Sequence, residues 1–471
     1  MKIYNTLTRR KEEFVPISSG KVGMYVCGPT VYGMPHVGHA KSYINFDIVH
    51  RTFKKLGFKV KYVQNITDVG HLVGDGDEGE DKIAKQARIE MLDPYEIAYK
   101  YEVEYFDAMD KLNVLRPSIS CRATGFIPEI IDAVQEIIDK GYGYVTKEGN
   151  VYFDVHALSS YGMLSNRTLD KTLSGERIEV ADDKKHPEDF ALWKAVEPNT
   201  LMKWKSPWGV GCPGWHIECS VLGRKFLGEQ FDIHGGGIDN LFPHHECECA
   251  QGRVLTGNVP MHYFMHNNLV TVNGTKMGKS LGNFITLKDL FAKYDPMVVR
   301  YFIVQFHYRS AVDFNEDGLV LAKKQFEKFE ELVQNVRNLT KDQKMPTGEL
   351  EEIYSSSLDA LQDDFNTPVV IAQMLKFAKI LMQIVAKEDK EKAKEANFII
   401  KNILEDVLGL VFKEEMKKEE DIPQEVKDLA EKRMQAKKNK DYALSDDLRT
   451  KISQMGFAVI DTKDGFELKK K

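Results

Sequence analysis

A strand–helix–strand pattern near the amino terminus is the feature that most restricts the fold of this chain. Residues 21–27 (KVGMYVC) are typical of a short buried strand, 36–56 have helical spacing, and 59–66 form a second apolar strand. Such a unit predicts a parallel sheet, and the carboxyl ends of parallel strands form the ligand crevice in open α/β folds. Cys27 and Thr67 end the two strands, so both should face that crevice.

The rest of the sequence divides into regions with different patterns. Periodicity is lost between about residues 158 and 207, which indicates an insertion into the nucleotide-binding fold. Apolar stripes after Val320 predict a helical bundle, and the charged run at 413–421 indicates a linker. The predicted segments are a first sheet half (1–115), an insertion (116–205), a second sheet half (206–270), a loop region (271–318), the bundle (319–412) and a small C-terminal domain (424–471).

Composition narrows the class of protein. Hydrophobic residues make up 42% and charged residues 29% of the 471 residues, which is typical of a globular protein with a large core. No signal peptide and no apolar run of about 18 residues is visible, so we expect a cytoplasmic protein without a membrane partner. The six cysteines then indicate metal binding or catalysis and not a disulfide framework. The net charge of −6 excludes a wholly basic nucleic-acid coat.

Residues 231–250 (FDIHGGGIDNLFPHHECECA) hold an unusual density of ligating side chains. Three histidines, four acidic residues and two cysteines lie close to a triple glycine. His244 and Glu248 are four residues apart, which places both on one face of a helix. The glycines, Gly236 among them, would let the backbone approach a ligand closely. The segment therefore indicates chemistry more than folding.

Two shorter motifs suit phosphate. His36-Val37-Gly38-His39 begins the first predicted helix, where free N–H groups and the helix dipole favour an anion. Lys276, Lys279 and Ser280 belong to KMGKS, which suits a loop that closes on a polyphosphate and stabilises developing negative charge. Taken singly, either motif is more often an ordinary helix start or a solvated loop.

In this order and roughly 240 residues apart, the two motifs resemble the signature of class I aminoacyl-tRNA synthetases, HIGH and KMSKS. The resemblance implies a Rossmann-type parallel-sheet catalytic domain with an insertion, an α-helical bundle and a small C-terminal anticodon-binding domain. It also implies ATP binding and catalysis by His36, His39, Lys276 and Lys279, with Gly38 and Ser280 as further ATP contacts.

Four segments, YVCGPTVY, PGWHIECS, FDIHGGG and FPHHECE, resemble those of cysteinyl-tRNA synthetases and occur in the same order. That resemblance assigns Cys27, Cys219, His244 and Glu248 to one Zn²⁺ ion. Two thiolates, an imidazole and a carboxylate suit this metal. The neighbouring thiols of Cys247 and Cys249 are rivals, although side chains next to Glu248 point elsewhere on a helix.

The same resemblance places other residues around the substrates. Trp215 would wall the pocket for the small side chain, although a core tryptophan is the alternative. Asp239 would bind the ribose, with a plain turn aspartate as the alternative. The further contacts implied are Gly28, Thr67 and His234 with the amino acid and Gly236 with ATP. His216, His245, His262 and His266 should be structural or supporting residues.

The activity implied is formation of cysteinyl-adenylate from L-cysteine and ATP, with Mg²⁺ on the phosphates, followed by transfer to the cysteine tRNA, by a monomer. A pocket shaped for cysteine discriminates poorly against serine, whereas a zinc–thiolate bond discriminates well. Two other hypotheses stay open: a ligase that joins cysteine to an amino-sugar, as in the mycothiol pathway, and a non-catalytic RNA-binding relative.

The sequence departs from the family pattern at four positions. Gly278 replaces the middle serine of KMSKS, and Ile238 replaces a serine after the glycine run. Cys212 stands where arginine is common, which puts a tRNA contact there in doubt. Leu468 stands where a tryptophan is usual, so stacking on an anticodon base is also in doubt.

Overall fold

Five parallel strands form the central sheet of the predicted catalytic part of the chain. The computed structural model describes residues 1–72, 79–167, 183–278, 281–413, 422–461 and 465–470. The earliest of these strands lies in the middle, and the chain adds two strands on each side of it. A crevice therefore opens at the carboxyl ends of the central strands, where the order reverses. In spatial order the strands are Met261–Asn267, Phe231–Gly237, Lys21–Val26, Lys59–Ile66 and Ile119–Arg122.

The helices of this part follow the predicted pattern closely. The first helix, Val37–Lys55, is buried over most of its length, as expected of a helix that packs on a parallel sheet. Two further helices are Pro94–Lys111 and Ile127–Asp139, which both have apolar residues at helical spacing. Among the described residues up to 304, the other α-helices are Lys82–Glu90, Ile217–Leu227, His244–Thr256, Leu287–Phe291 and Pro296–Val304.

The insertion has a sheet of its own. Its five strands are antiparallel and run, in spatial order, Gly143–Val145, Val151–Phe153, Phe190–Ala195, Gly209–Pro213 and Trp204–Ser206. The strand at 209–213 lies beyond the predicted end of the insertion at 205, and the parallel strand at 119–122 lies beyond the predicted end of the first sheet half at 115. Both strands are short, so their periodicity was too brief to define a boundary.

A small three-stranded sheet follows the catalytic core. Val270–Val272 pairs with Thr275–Lys276 on one side and with Val312–Phe314 on the other. The tight turn predicted at Asn273 and Gly274 is present, and both residues have positive φ. An amino-terminal hairpin of Lys2–Asn5 and Arg10–Glu13 completes the short sheets of this unit.

The predicted bundle is helical, and its first apolar stripe is buried. Phe326, Phe329, Val333 and Val336 all lie in the core. By length and composition alone one helix of the described chain, Thr367–Ala386, would pass a test for crossing a membrane, but it packs against its bundle neighbours. The helices are Glu316–Leu339, Glu349–Gln362, Thr367–Ala386 and Lys390–Ile399, followed by a π-helical turn at Ile400–Glu405.

Residues Phe412–Lys471 form a second compact unit, after a first unit of Met1–Val411. Two helices pack on a hairpin around a small core of Val426, Ala430, Ile452, Phe457 and Val459. Leu468 packs against this core. Residues 414–421 of the predicted linker lie outside the described part of the chain. The elements are Gln424–Lys438, Tyr442–Gln454, Phe457–Asp461 and Phe466–Lys470.

A buried ion cluster fastens the first helix to the rest of the first unit. The Arg300 guanidinium is fully buried and donates to the Asp47 carboxylate, to the Leu408 carbonyl at 2.7 Å and to the Leu112 carbonyl at 2.8 Å. Arg51 donates to Asp47 at 2.8 Å. Burial alone would raise the pKa of Asp47, but the two guanidinium groups outweigh it and hold this pKa below its ordinary value.

We expect Asp47→Asn to destabilise the protein strongly. The substitution leaves two buried guanidinium groups without their counter-ion, a change that typically costs about 3–5 kcal/mol. Urea unfolding of the variant should show a lower midpoint than that of the parent chain. Asp107→Asn is the matched control, because Asp107 is 55% exposed and pairs with Lys111 on the surface. The control should change the midpoint little.

The same pair of proteins tests the pH dependence. Since the pKa of Asp47 is lower in the folded chain than its ordinary 3.8, its stabilisation is present above that value and is lost as the pH falls through the folded pKa. The stability difference between the parent chain and Asp47→Asn should therefore shrink below about pH 4. An unchanged difference would contradict an ionised Asp47.

Candidate active site

The four predicted metal ligands lie together at the crevice edge of the parallel sheet. Their ligand atoms are all within 4.8 Å of one another, and all four residues are buried. The two thiols are 3.8 Å apart, and Cys27 donates to Glu248 at 3.7 Å. His244 Nε2 lies 3.1 Å from Glu248 Oε1, across one helical turn. The elements that carry the ligands are the end of Lys21–Val26, the first turn of Ile217–Leu227, and His244–Thr256.

The charges within the cluster favour a cation. Burial alone would raise the pKa of Glu248, but His234 and His244 outweigh it and lower this pKa to about 2. Burial likewise opposes ionisation of Cys219, yet the hydrogen bond from Cys27 and the neighbouring His244 lower its pKa to about 6. Burial and the neighbouring Cys219 thiolate raise the pKa of Cys27. Two soft sulfur ligands with a nitrogen and an oxygen fit a zinc ion well.

A second group of possible ligands overlaps the first. It shares Cys27 and Glu248 and adds His234 and His245. His234 is fully buried, and its Nε2 lies 2.9 Å from Glu248 Oε2 and 4.0 Å from the Cys27 sulfur, so it contacts two of the predicted metal ligands. His245 lies 3.2 Å from the Cys27 sulfur and 2.7 Å from His266. With the ion held by the first group, these two histidines can fix the orientation of Glu248 and Cys27.

Neither rival cysteine belongs to a possible ligand group within the described residues. Cys247 packs in an apolar cluster near the hydroxyl of Tyr161, 3.9 Å away. Cys249 is buried on the sheet side of its helix among apolar residues. Both side chains point away from the predicted ligands, as expected of residues next to Glu248 on a helix. Cys212 is also buried, in a strand of the insertion, so its side chain offers no surface contact.

The floor of the crevice depends on one glycine. A Cβ at Gly28 would lie 1.6 Å from the Asn65 carbonyl oxygen, so only glycine lets these two strand ends approach.

Thr67 donates to the buried carboxylate of Glu218 at 2.8 Å, and the other oxygen of Glu218 has no hydrogen-bond partner among the described residues. Burial and the neighbouring Cys219 raise the pKa of Glu218.

Trp215 is half-buried beside the ligand cluster, so it is not a core tryptophan. Its ring centroid lies 4.4 Å from that of His244 and 3.8 Å from that of His71. The indole therefore forms one wall above the possible metal site.

The two histidines of the first motif stack on each other at the start of the first helix. His36 is the capping residue, and its ring centroid lies 3.8 Å from that of His39. A Cβ at Gly38 would lie 2.9 Å from the His36 ring, so glycine is required for this stack. Burial lowers the pKa of His39 to about 4, so its ring is neutral at physiological pH.

The segment that follows the second motif is hydrogen-bonded to the start of the first helix. The Val37 amide donates to the Ile285 carbonyl at 3.2 Å, and the Leu287 amide donates to Pro35 at 2.8 Å. Lys276 is exposed at the end of its hairpin. Lys279 and Ser280 lie outside the described residues. Asn283 bridges both sides of that gap, because it accepts from the Gly278 amide at 2.9 Å and donates to the Lys276 carbonyl at 3.2 Å.

The glycine run and Asp239 complete this edge. A Cβ at Gly236 would lie 2.6 Å from the His245 ring, so the close approach here is to another side chain of the site. Asp239 is exposed in the short 3₁₀ turn Ile238–Leu241, directly after the strand end. It is accessible to a ligand in the crevice.

Several residues of the site were missed from the sequence. Glu218 and His71 are buried beside predicted residues, and Asn65 holds the Gly28 amide at 2.7 Å. Lys41 is buried and donates to the carbonyls of Asn268 and Ser310, which ties the first helix to the segment before the second motif. Burial lowers the pKa of Lys41 to about 7. The sequence signal that could have identified such residues is a polar side chain within an otherwise apolar run.

Family comparisons agree with this geometry. Residues 13–324 match the family described as tRNA synthetases class I (C) catalytic domain, and residues 358–413 match the DALR domain family. Among solved structures, a Mycobacterium tuberculosis methionyl-tRNA synthetase in complex with methionyl-adenylate has a TM-score of 0.58 at 12% identity, covering 82% of this chain and 89% of that one. An Agrobacterium radiobacter LeuRS–tRNA–LeuAMS complex has a TM-score of 0.60 at 12% identity, covering 84% and 85%. These structures show the shared fold.

Curated relatives show the family. The Cysteine--tRNA ligase of Bacteroides thetaiotaomicron is 48% identical, over 99% of this chain and 98% of the relative. That of Chlorobaculum tepidum is 46% identical, over 100% of this chain and 99% of the relative. The chain therefore belongs to the cysteine--tRNA ligase family of class I aminoacyl-tRNA synthetases.

Proposed function

We propose that this chain activates L-cysteine with ATP and transfers it to the 3′ end of the cysteine tRNA. The observation that carries the proposal is the meeting of three features at one sheet edge. A buried, thiol-rich ligand cluster lies there, the first motif begins the first helix, and the segment directly after the second motif is hydrogen-bonded to that helix start. The names of the relatives supply cysteine as the amino acid and tRNA as its acceptor.

The metal would be one zinc ion, held by Cys27, Cys219, His244 and Glu248. Their atoms are close enough to share one ion, and the low pKa of Glu248 keeps its carboxylate ionised and able to ligate a metal. Bound there, zinc would supply a soft Lewis acid that prefers the thiolate of cysteine to the neutral hydroxyl of serine. His234 and His245 would keep Glu248 and Cys27 in place.

The remaining pocket residues would bind and orient cysteine. Trp215 would close the side-chain pocket, since it is the half-buried wall above the cluster. Thr67 would face the amino acid from the strand end, and the missing side chain of Gly28 leaves room beside it. His234 was predicted to touch the substrate directly. Its burial behind Glu248 supports an indirect contribution instead.

ATP would lie along the first helix and the second motif. His36 and His39 would donate to phosphate oxygens at the helix start, and Gly38 would let the nucleotide lie close. Lys276 and Lys279 would stabilise the charge on the leaving pyrophosphate, together with Mg²⁺. The other contacts we propose are Ser280 with the phosphates, Asp239 with the ribose, and Gly236 beside the nucleotide. The chemistry then needs no protein nucleophile, only positioning and charge stabilisation.

The helical part of the chain would bind the tRNA. We assign the bundle (319–412), which contains the DALR match, and the C-terminal domain (424–471) to the tRNA body and anticodon. The region 271–318 would contact the acceptor stem. We further propose that the protein acts as a monomer in the cytoplasm, where its six free thiols would stay reduced.

Two assays test the activity directly. Cysteine-dependent exchange between ATP and pyrophosphate should be observed with the zinc-loaded protein, and charging of a cysteine tRNA should follow. Absence of exchange in protein with a full complement of zinc would overturn the proposal. Exchange without charging, but with transfer to an amino-sugar, would identify the mycothiol-type ligase instead.

Cys219→Ser should lose its metal and its selectivity for cysteine. A serine hydroxyl stays protonated at neutral pH and is a poor zinc ligand, so zinc measured by mass spectrometry should fall from one equivalent to nearly none. The KM for cysteine in exchange should rise strongly, because the thiolate loses its partner. ATP binding, measured by calorimetry, should be unchanged.

Cys249→Ser is the matched control for that experiment. Cys249 is buried as deeply as Cys219, 3% against 2%, but it belongs to neither possible ligand group. The control should therefore keep a full equivalent of zinc. Loss of zinc in the control together with retention in Cys219→Ser would refute the ligand assignment.

Lys276→Ala should slow adenylate formation while leaving zinc and cysteine binding intact. Removing one charge that stabilises a transition state commonly lowers kcat by roughly 10²-fold. The single-turnover rate of adenylate formation is the direct measurement. Lys293→Ala is the control, since Lys293 is also exposed but lies outside the motif. Equal rates in the two variants would exclude Lys276 from the reaction.

A further inference from the structure

Trp215 is held between two imidazole rings. On one side its ring lies 4.4 Å from the ring of His244, a predicted metal ligand. On the other side it stacks on His71, with ring centroids 3.8 Å apart and only 11° between the planes. The position of the indole, and with it the width of any pocket above the metal cluster, is therefore set from both faces.

The His71 ring is itself fixed at both nitrogens. Its Nδ1 lies 2.6 Å from the Thr30 hydroxyl, and its Nε2 lies 2.7 Å from the Lys82 ammonium group. Because an ammonium group can only donate, Nε2 accepts and Nδ1 carries the proton that is donated to Thr30. His71 is 7% exposed, so these contacts leave its ring little freedom to turn.

The backbone on either side of His71 is also tied down. Gly70 donates to the Asp81 carboxylate at 2.8 Å, and the Lys82 amide donates to the His71 carbonyl at 2.9 Å. Asp81 caps the helix that begins at Lys82. Thr30 pairs with Thr67, which lies at the floor of the crevice. His71 is thus held in place by residues at the strand ends that also form the site.

We propose that His71 is a positioning residue that determines the specificity for the amino acid, because it holds Trp215 against the metal cluster. The inference rests on the proposed function, in which Trp215 walls the cysteine pocket. Without the supporting ring, the indole can move away from His244 and the pocket widens. A wider pocket binds cysteine less well and admits a side chain that is longer by one methylene.

Two substitutions separate the ring from its hydrogen bonds. His71→Asn keeps a donor and an acceptor but removes the flat ring, whereas His71→Phe keeps a ring that can stack. In cysteine-dependent exchange, His71→Asn should raise the KM for cysteine about five- to tenfold and lower the preference for cysteine over homocysteine. The KM for ATP and the zinc content should stay unchanged. His71→Phe should stay within about threefold of the parent chain.

His262→Ala is the control, because this histidine is exposed and lies away from Trp215. It should match the parent chain in every measurement. Unchanged cysteine KM and unchanged preference in His71→Asn would overturn the inference. So would a parallel rise of the KM for ATP or a loss of zinc, since either would show that His71 supports the fold in general.

A second measurement does not require activity. Trp215 can be followed through its indole N–H resonance in ¹⁵N-tryptophan-labelled protein, assigned by its absence in Trp215→Phe. The indole order parameter should be that of a rigid group, about 0.85, in the parent chain and fall in His71→Asn but not in His262→Ala. An unchanged order parameter would overturn the inference. Absence of exchange in the parent chain would instead overturn the proposed function.

Discussion

Four buried ionisable side chains from three separate segments bring their ligand atoms within 4.8 Å of one another. The rest of the catalytic fold is needed to hold them there. A fully buried carboxylate such as Glu248 is tolerated only with cationic or hydrogen-bonding partners. His234 and His244 supply these from opposite sides. The parallel sheet makes the arrangement possible, because it places Cys27 at the end of the strand that pairs with the strand of His234.

The same requirement explains the buried polar contacts that hold the first helix in place. Lys41 ties its amino-terminal half to segments before and after the second motif, and Asp47 with Arg300 ties its middle to more distant parts of the unit. The segment after the second motif then joins the first motif through backbone hydrogen bonds near His36. Such buried polar contacts are costly unless every partner is in place, so they fix one relative position of these elements.

Local pattern was a good guide to single elements. The central strand, the first helix and the stripe from Phe326 to Val336 lie where spacing predicted them, since apolar periodicity reports directly on which face is buried. It was a poor guide to domain limits. The strands at 119–122 and 209–213 are too short to show a period, and their sheet membership depends on partners far along the chain.

The sequence by itself determined the kinds of groups present and, through resemblance, the family, and it predicted four ligands for one metal ion. Motif letters record residue types at fixed spacing, which is enough for chemistry carried by one segment, such as His244 and Glu248 one turn apart. Only the tertiary structure decided what surrounds them. It turned His234 behind Glu248, left Trp215 half-buried against His71, and required glycine at position 28. The reason is physical: burial, stacking and close approach depend on the distance between segments that folding alone brings together.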